Sequence, residues 1–85
     1  DLMTLTDNNH FVPFGAVVTL ADGNQSSFIV GDRGQVFLSG MPEQGAIVAT
    51  WGRQSSQQCR ADFSLPQQST YAGITEVSAS CHQER

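Results

Sequence analysis

The chain offers a succession of short β-prone runs at roughly ten-residue spacing, broken by Gly, Pro, Asn and Asp, and almost no helical periodicity. The runs are Leu2–Leu5, Ala16–Ala21, Phe28–Val30, Gln35–Ser39, Ala46–Trp51, Gln58–Ser64 and Tyr71–Cys81. No window places apolar residues at i, i+3, i+4 and i+7, so no run is followed by a helix long enough for a βαβ crossover. Seven short strands joined by turns predict an all-β fold, a small antiparallel β-sandwich with Greek-key-like connections. With 85 residues this is a single domain over 1–85. A core of that size is thin, and a covalent staple would help it.

Charge narrows the function classes. The formal net charge is −4, with four Arg and no Lys. Such a chain cannot build the basic face that nucleic acid or an anionic lipid surface requires. Charged residues are only 14% of the total, and Ser, Thr, Gln and Asn supply most of the polarity, the style of an extracytoplasmic surface. No run reaches the roughly 18 apolar residues of a membrane helix, so no direct membrane insertion is expected. The start at Asp1, without a basic n-region or an apolar h-region, reads as a processed or excised piece of something longer.

The segment Gly31-Asp32-Arg33-Gly34 lies between two apolar runs. An acid and a base between glycines raise the prospect of a site. Backbone geometry offers a simpler account. Asp32 and Arg33 suit the centre of a type I turn, and Gly34 suits the left-handed position of a G1 bulge closing a hairpin. Asp22-Gly23 is a second turn signal. Gln54–Gln58 reads as a polar mobile loop, and His82–Arg85 as a fraying tail.

The cysteines bear on register. Cys59, Ala61 and Phe63 share one face of the sixth run, and Val77, Ala79 and Cys81 share one face of the last. If those runs form a hairpin through residues 65–70, pairing Cys59 with Cys81 places Ala61 opposite Ala79 and Phe63 opposite Val77. A structural disulfide satisfies both the staple and the shared core, and implies an oxidising compartment. Two buried thiols or a redox pair are the competing readings. The redox reading lacks a Cys-x-x-Cys, and His10 and His82 do not complete a zinc spacing.

No catalytic constellation is present. The serines lie outside any Gly-x-Ser-x-Gly, the Asp residues are scattered, and calcium, dinucleotide and phosphate loops are absent. The expectation is a non-enzymatic module without cofactor or metal. Trp51 reads as a core or rim residue rather than a sugar platform.

The ordered set Pro13-Phe14-Gly15-Ala16, Val30 to Gly40, Trp51-Gly52, Cys59-Arg60 and Cys81 resembles the C-terminal domain of outer-membrane fimbrial ushers of the chaperone–usher pathway. The resemblance runs from Leu2 to Cys81. It implies a non-catalytic β-sandwich on the periplasmic face of the outer membrane, part of a larger integral outer-membrane protein. Its implied partners are periplasmic chaperone–pilus subunit complexes and other domains of the same usher. The family motifs matched here look structural and carry no contact onto a numbered residue. Phe11, Val12, Met41 and Pro42 are the apolar loop residues to offer such a partner. The competing account folds these four back as plugs over the sandwich ends. The rival function is a carbohydrate-binding or adhesin-like sandwich, for which only Trp51 and Tyr71 are plausible aromatics.

Overall fold

A computed structural model describes residues 2–21, 26–39, 42–64 and 76–83. The predicted turn at Asp22-Gly23, the 65–70 connection and Met41 lie outside them. The described chain is all-β, with eight strands: β1 Leu2–Asp7, β2 His10–Phe11, β3 Val17–Leu20, β4 Ser27–Ile29, β5 Gln35–Phe37, β6 Gln44–Thr50, β7 Gln58–Ser64 and β8 Glu76–Cys81. They form two four-stranded sheets. In the first, β1 is central. β8 runs along one edge of it, while β5 and β2 share the other, β5 opposite Leu2–Thr4 and β2 opposite Thr6 and Asp7. The second sheet has the order β4-β3-β6-β7.

The sheets pack because alternation gives each an apolar inner face. Met3 and Leu5 of β1, Val36 of β5 and Ala79 of β8 point inward from the first sheet. Val18 and Leu20, Ile47 and Ala49, and Cys59, Ala61 and Phe63 meet them from the second. Trp51 and Phe28, both half-buried, pack against this core, so Trp51 is a rim residue.

The strand pairing differs from the sequence reading in three details. β2 is an additional strand, too short to show a period. A two-residue loop, Asn8-Asn9, with φ of 55° and 67°, connects it to β1. Two successive positive φ values define a type I′ turn, whose twist matches that of the strands, and Asn tolerates it better than most residues. Second, β1 and β8 pair in parallel, from Leu2↔Glu76 to Asp7↔Cys81, so the first sheet is mixed. A sequence pattern with both strands solvated on one face does not reveal direction.

Third, β7 and β8 are not a hairpin. β7 pairs β6 in one sheet and β8 pairs β1 in the other. Their only direct pairing among the described residues is a bridge between Arg60 and His82, two backbone bonds of 2.6 and 2.8 Å. Ala61 and Phe63 still point inward, as do Ala79 and Cys81, so the assignment of faces holds while the assumed partner strand does not.

The polar 54–58 segment is ordered into a 3-10 turn at Ser55–Gln57. There the Gln54 N–H donates to Gln57 Oε1 at 3.3 Å, and the Trp51 N–H donates to the Gln57 carbonyl at 2.8 Å. His82 is held by its bridge, and Gln83 Nε2 donates to the Ser56 carbonyl. The start of the tail is therefore docked rather than frayed.

Candidate interaction surface

Cys59 and Cys81 form a disulfide, with a Cα–Cα distance of 5.4 Å. Both are buried. With the Arg60–His82 bridge it closes one long side of the sandwich, where β7 edges one sheet and β8 the other. The opposite side is built differently. There β4 is the edge of the second sheet, β2 and β5 share the edge of the first, and β4 touches β5.

The strands and turn towards that side carry all the large exposed apolar residues among those described: Phe11, Phe14, Val17, Ile29 and Phe37, with Phe11 and Phe37 on the outer face of the first sheet and Val17 and Ile29 on the outer face of the second. Strand register explains four of them. Val17 lies directly opposite Ile29, and both face outward because Val18 and its partner Phe28 face the core. Phe37 lies opposite Leu2 and Phe11 opposite Thr6, on the outer face that alternates with Met3 and Leu5. Phe37 is 64% exposed. The fifth, Phe14, is 75% exposed at the second position of a tight turn. In that turn the Ala16 N–H donates to the Pro13 carbonyl at 3.2 Å, and Gly15, φ 89°, takes the third position of a type II geometry. The turn is tied to the β4 side by a 2.8 Å bond from the Gly15 N–H to the Val30 carbonyl.

The Asp32-Arg33-Gly34 segment is the corner between β4 and β5 on this flank. It joins two sheets, so it is not a hairpin turn. The Gly31 N–H donates to the Gln35 carbonyl at 2.7 Å, the Gln35 N–H donates to the Asp32 carbonyl, and Gly34 has φ 70°; the left-handed glycine is present, but without paired strands it is not a G1 bulge. Arg33, however, is also left-handed (φ 57°, ψ 32°), which a type I centre does not allow. Gly34 is required twice over. Its φ is positive, and a Cβ there would strike the Leu5 carbonyl of β1 and approach Phe11 Cβ to 3.4 Å.

Of the four residues named as a possible partner contact, the three that are described do not form one surface. Phe11 is exposed on β2. Val12, 1% exposed, belongs to the core, where its N–H donates to the Leu5 carbonyl at 3.0 Å, so its side chain is not available at the surface. Pro42 is exposed next to β6, beside Gly45 and Phe63. The sequence reading missed Phe14, Val17, Ile29 and Phe37. A signal was present for the last two. Phe28-Ile29-Val30 and Val36-Phe37-Leu38 are unbroken apolar triplets, and a strand solvated on one face must turn one residue of each outward.

Asp7, Ser80 and His82 line a shallow groove of about 420 Å³ next to the disulfide, with no side-chain hydrogen bond joining them. Among the described residues no group of three His, Cys, Asp or Glu side chains could hold a metal ion. What the described residues offer is exposed apolar contact area.

The family model for the PapC C-terminal domain matches residues 2–67. The chain belongs to that family. The chain is 49% identical over 82 residues to the outer membrane usher protein LpfC of Salmonella typhimurium, covering 94% of this chain and 10% of that protein. It is 49% identical over 80 residues to the outer membrane usher protein FimD of Escherichia coli K12, covering 94% and 9%. Similarity extends to the F1 capsule-anchoring protein of Yersinia pestis, 38% over 74 residues, covering 87% and 9%. The chain thus spans about a tenth of the length of these relatives. Among solved structures, the Caf1A usher C-terminal domain superposes with a TM-score of 0.84 at 34% identity, over 99% of this chain and 97% of that one. Conserved hydrophobic clusters on the surface of that Caf1A domain are important for F1 antigen assembly. The PapC C-terminal domain is therefore a domain of outer-membrane usher proteins.

Proposed function

We propose that this domain is a non-catalytic periplasmic docking module of a larger usher, and that it binds chaperone–subunit complexes while pilus subunits are polymerised and secreted. The observation that carries this reading is the exposure of large apolar side chains on strands away from the disulfide-closed flank: Phe11 and Phe37 on the outer face of the first sheet, Val17 and Ile29 on the outer face of the second, and Phe14 in the turn before β3. Solvated apolar side chains on a small domain are costly unless a partner covers them, and an aromatic-rich cluster is a usual interface core. The surface clusters of the similar Caf1A domain serve assembly, which supports the same use here. Other domains of the same usher are the second partner class.

The test is titration of the purified chain with chaperone–subunit complexes, using Phe14→Ser with Ile29→Ser and, separately, Phe37→Ser. Each should weaken binding about tenfold or more, because truncated aromatic anchors typically cost upward of about 1.4 kcal/mol. Thermal unfolding should hold within a few degrees. Pro42→Ser, on the other side of the molecule, should leave binding unchanged. A folded parent chain that binds no complex overturns the proposal.

A further inference from the structure

The sheet edges differ in how open they are. β4 is the last strand of its sheet and pairs only with β3. The Val30 N–H donates to the Ala16 carbonyl at 2.9 Å, which makes Ala16 and Val30 a hydrogen-bonded pair of that ladder. Bonded and non-bonded pairs alternate along antiparallel strands. Val18↔Phe28 is therefore the next bonded pair, while Ser27 and Ile29 turn their N–H and carbonyl groups away from β3. Both residues are exposed, and among the described residues no hydrogen bond reaches these four groups. Two other edges are guarded. On β7 the outward backbone of Arg60 exchanges both its bonds with His82, and the exposed side chains include Arg60 and Asp62. On β5 the Gln35 N–H and carbonyl are both taken up in the corner, by Asp32 and Gly31. The β4 residues Ser27-Phe28-Ile29 include no charge and no proline, and their pairing with β3 has no bulge, so the usual protections of an edge strand are missing. Ile29 is 59% exposed and ends the outward row Thr50–Val17–Ile29 across the sheet.

We propose that the β4 edge is a strand-addition site, where an extended segment of the docked chaperone–subunit complex pairs with Ser27 and Ile29 and sets an apolar side chain beside Ile29. An unpaired, uncharged edge is a template for another strand; main-chain bonds supply affinity and alternate side chains supply selectivity. The partner residue directly opposite Ile29 shares its face of the sheet, so an apolar side chain there extends the row and takes Ile29 out of water. This proposal rests on the docking reading above and adds the form of the contact, backbone pairing at one edge.

The alternation makes the test residue-specific. Amide hydrogen exchange is followed in the parent chain, free and saturated with chaperone–subunit complex. In the free chain the Phe28 and Val30 amides should exchange slowly and those of Ser27 and Ile29 fast; binding should slow the second pair about tenfold or more. Ser27→Pro removes an outward N–H without touching the β3 ladder. It should bind about fivefold more weakly, at a Tm within a few degrees of the parent. If the parent binds while the Ser27 and Ile29 amides stay fast, the inference is overturned and the docking reading stands. Slowed amides together with full-strength binding by folded Ser27→Pro also overturn it, since the edge is then covered without being paired. Should Ser27→Pro not fold, exchange in the parent decides alone. Slowing that appears on concentrating the chain by itself assigns the edge to a second copy and overturns the partner proposed. If the folded parent binds no complex, both readings fall together.

Discussion

Cys59 and Cys81 face each other from strands of different sheets, with their Cα atoms 5.4 Å apart, so the disulfide ties the two layers of the sandwich rather than two neighbours within one sheet. Next to it the backbones of Arg60 and His82 exchange two hydrogen bonds, and beyond that point the strands diverge into their own sheets. One flank is therefore covalently closed, and the exposed apolar side chains lie on strands away from it, on the outer faces of both sheets.

Reduction should cost this domain much of its stability. The bridge spans 22 residues in sequence, and closing a loop of that order is worth about 3 kcal/mol in the chain-entropy model. In a domain this small that corresponds to a fall in Tm of roughly 10 to 20 °C. Thermal unfolding with and without reductant checks the magnitude. Mass measurement after alkylation under denaturing, non-reducing conditions should find no free thiol in oxidised protein, and two alkylated cysteines would contradict the bridge.

Gly34 should tolerate no side chain. Gly34→Ala forces a Cβ against the Leu5 carbonyl and a residue with a Cβ into positive φ, and we expect a loss of about 2 kcal/mol or more. Asp32→Ala, at an exposed position in the same segment, should change stability by about 0.5 kcal/mol or less. Urea unfolding of both variants measures the difference. Equal, small effects would show that Gly34 does not adopt this conformation.

Phe11 and Val12 are neighbours in sequence with opposite fates, and mutation should separate them. Val12→Ala removes buried methyl groups from the core and should cost about 1 to 3 kcal/mol. Phe11→Ser acts on an exposed ring and should stay within about 1 kcal/mol. Only Phe11→Ser is expected to weaken partner binding at unchanged Tm. Should Phe11→Ser prove the more destabilising of the two, β2 would not hold its observed register.

Much of this was legible in the sequence because it is local. Alternation along Gln58–Ser64 decides that Cys59, Ala61 and Phe63 face inward and Arg60, Asp62 and Ser64 outward, whatever strand lies alongside. The absence of a 3.6-residue period decides an all-β fold. Paired cysteines in a chain with this surface chemistry decide a staple. The motif order from Pro13 to Cys81 suffices for the usher resemblance.

Tertiary structure decided what depends on which strand meets which. Partner and direction are properties of two segments distant in the chain, and their inner faces look alike to any neighbour. Cys59 and Cys81 satisfy a hairpin and a cross-sheet bridge equally well, and only packing selects the second. The same holds for the exposed apolar side chains. Val36, Phe37 and Leu38 are equally hydrophobic in sequence, and it is the pairing of Leu2 with Phe37 and of Met3 with Val36 that buries one and exposes the other. The sequence by itself determined that this chain is a stapled β-sandwich; the packing of its two sheets determined which side the disulfide seals and which apolar side chains stay exposed.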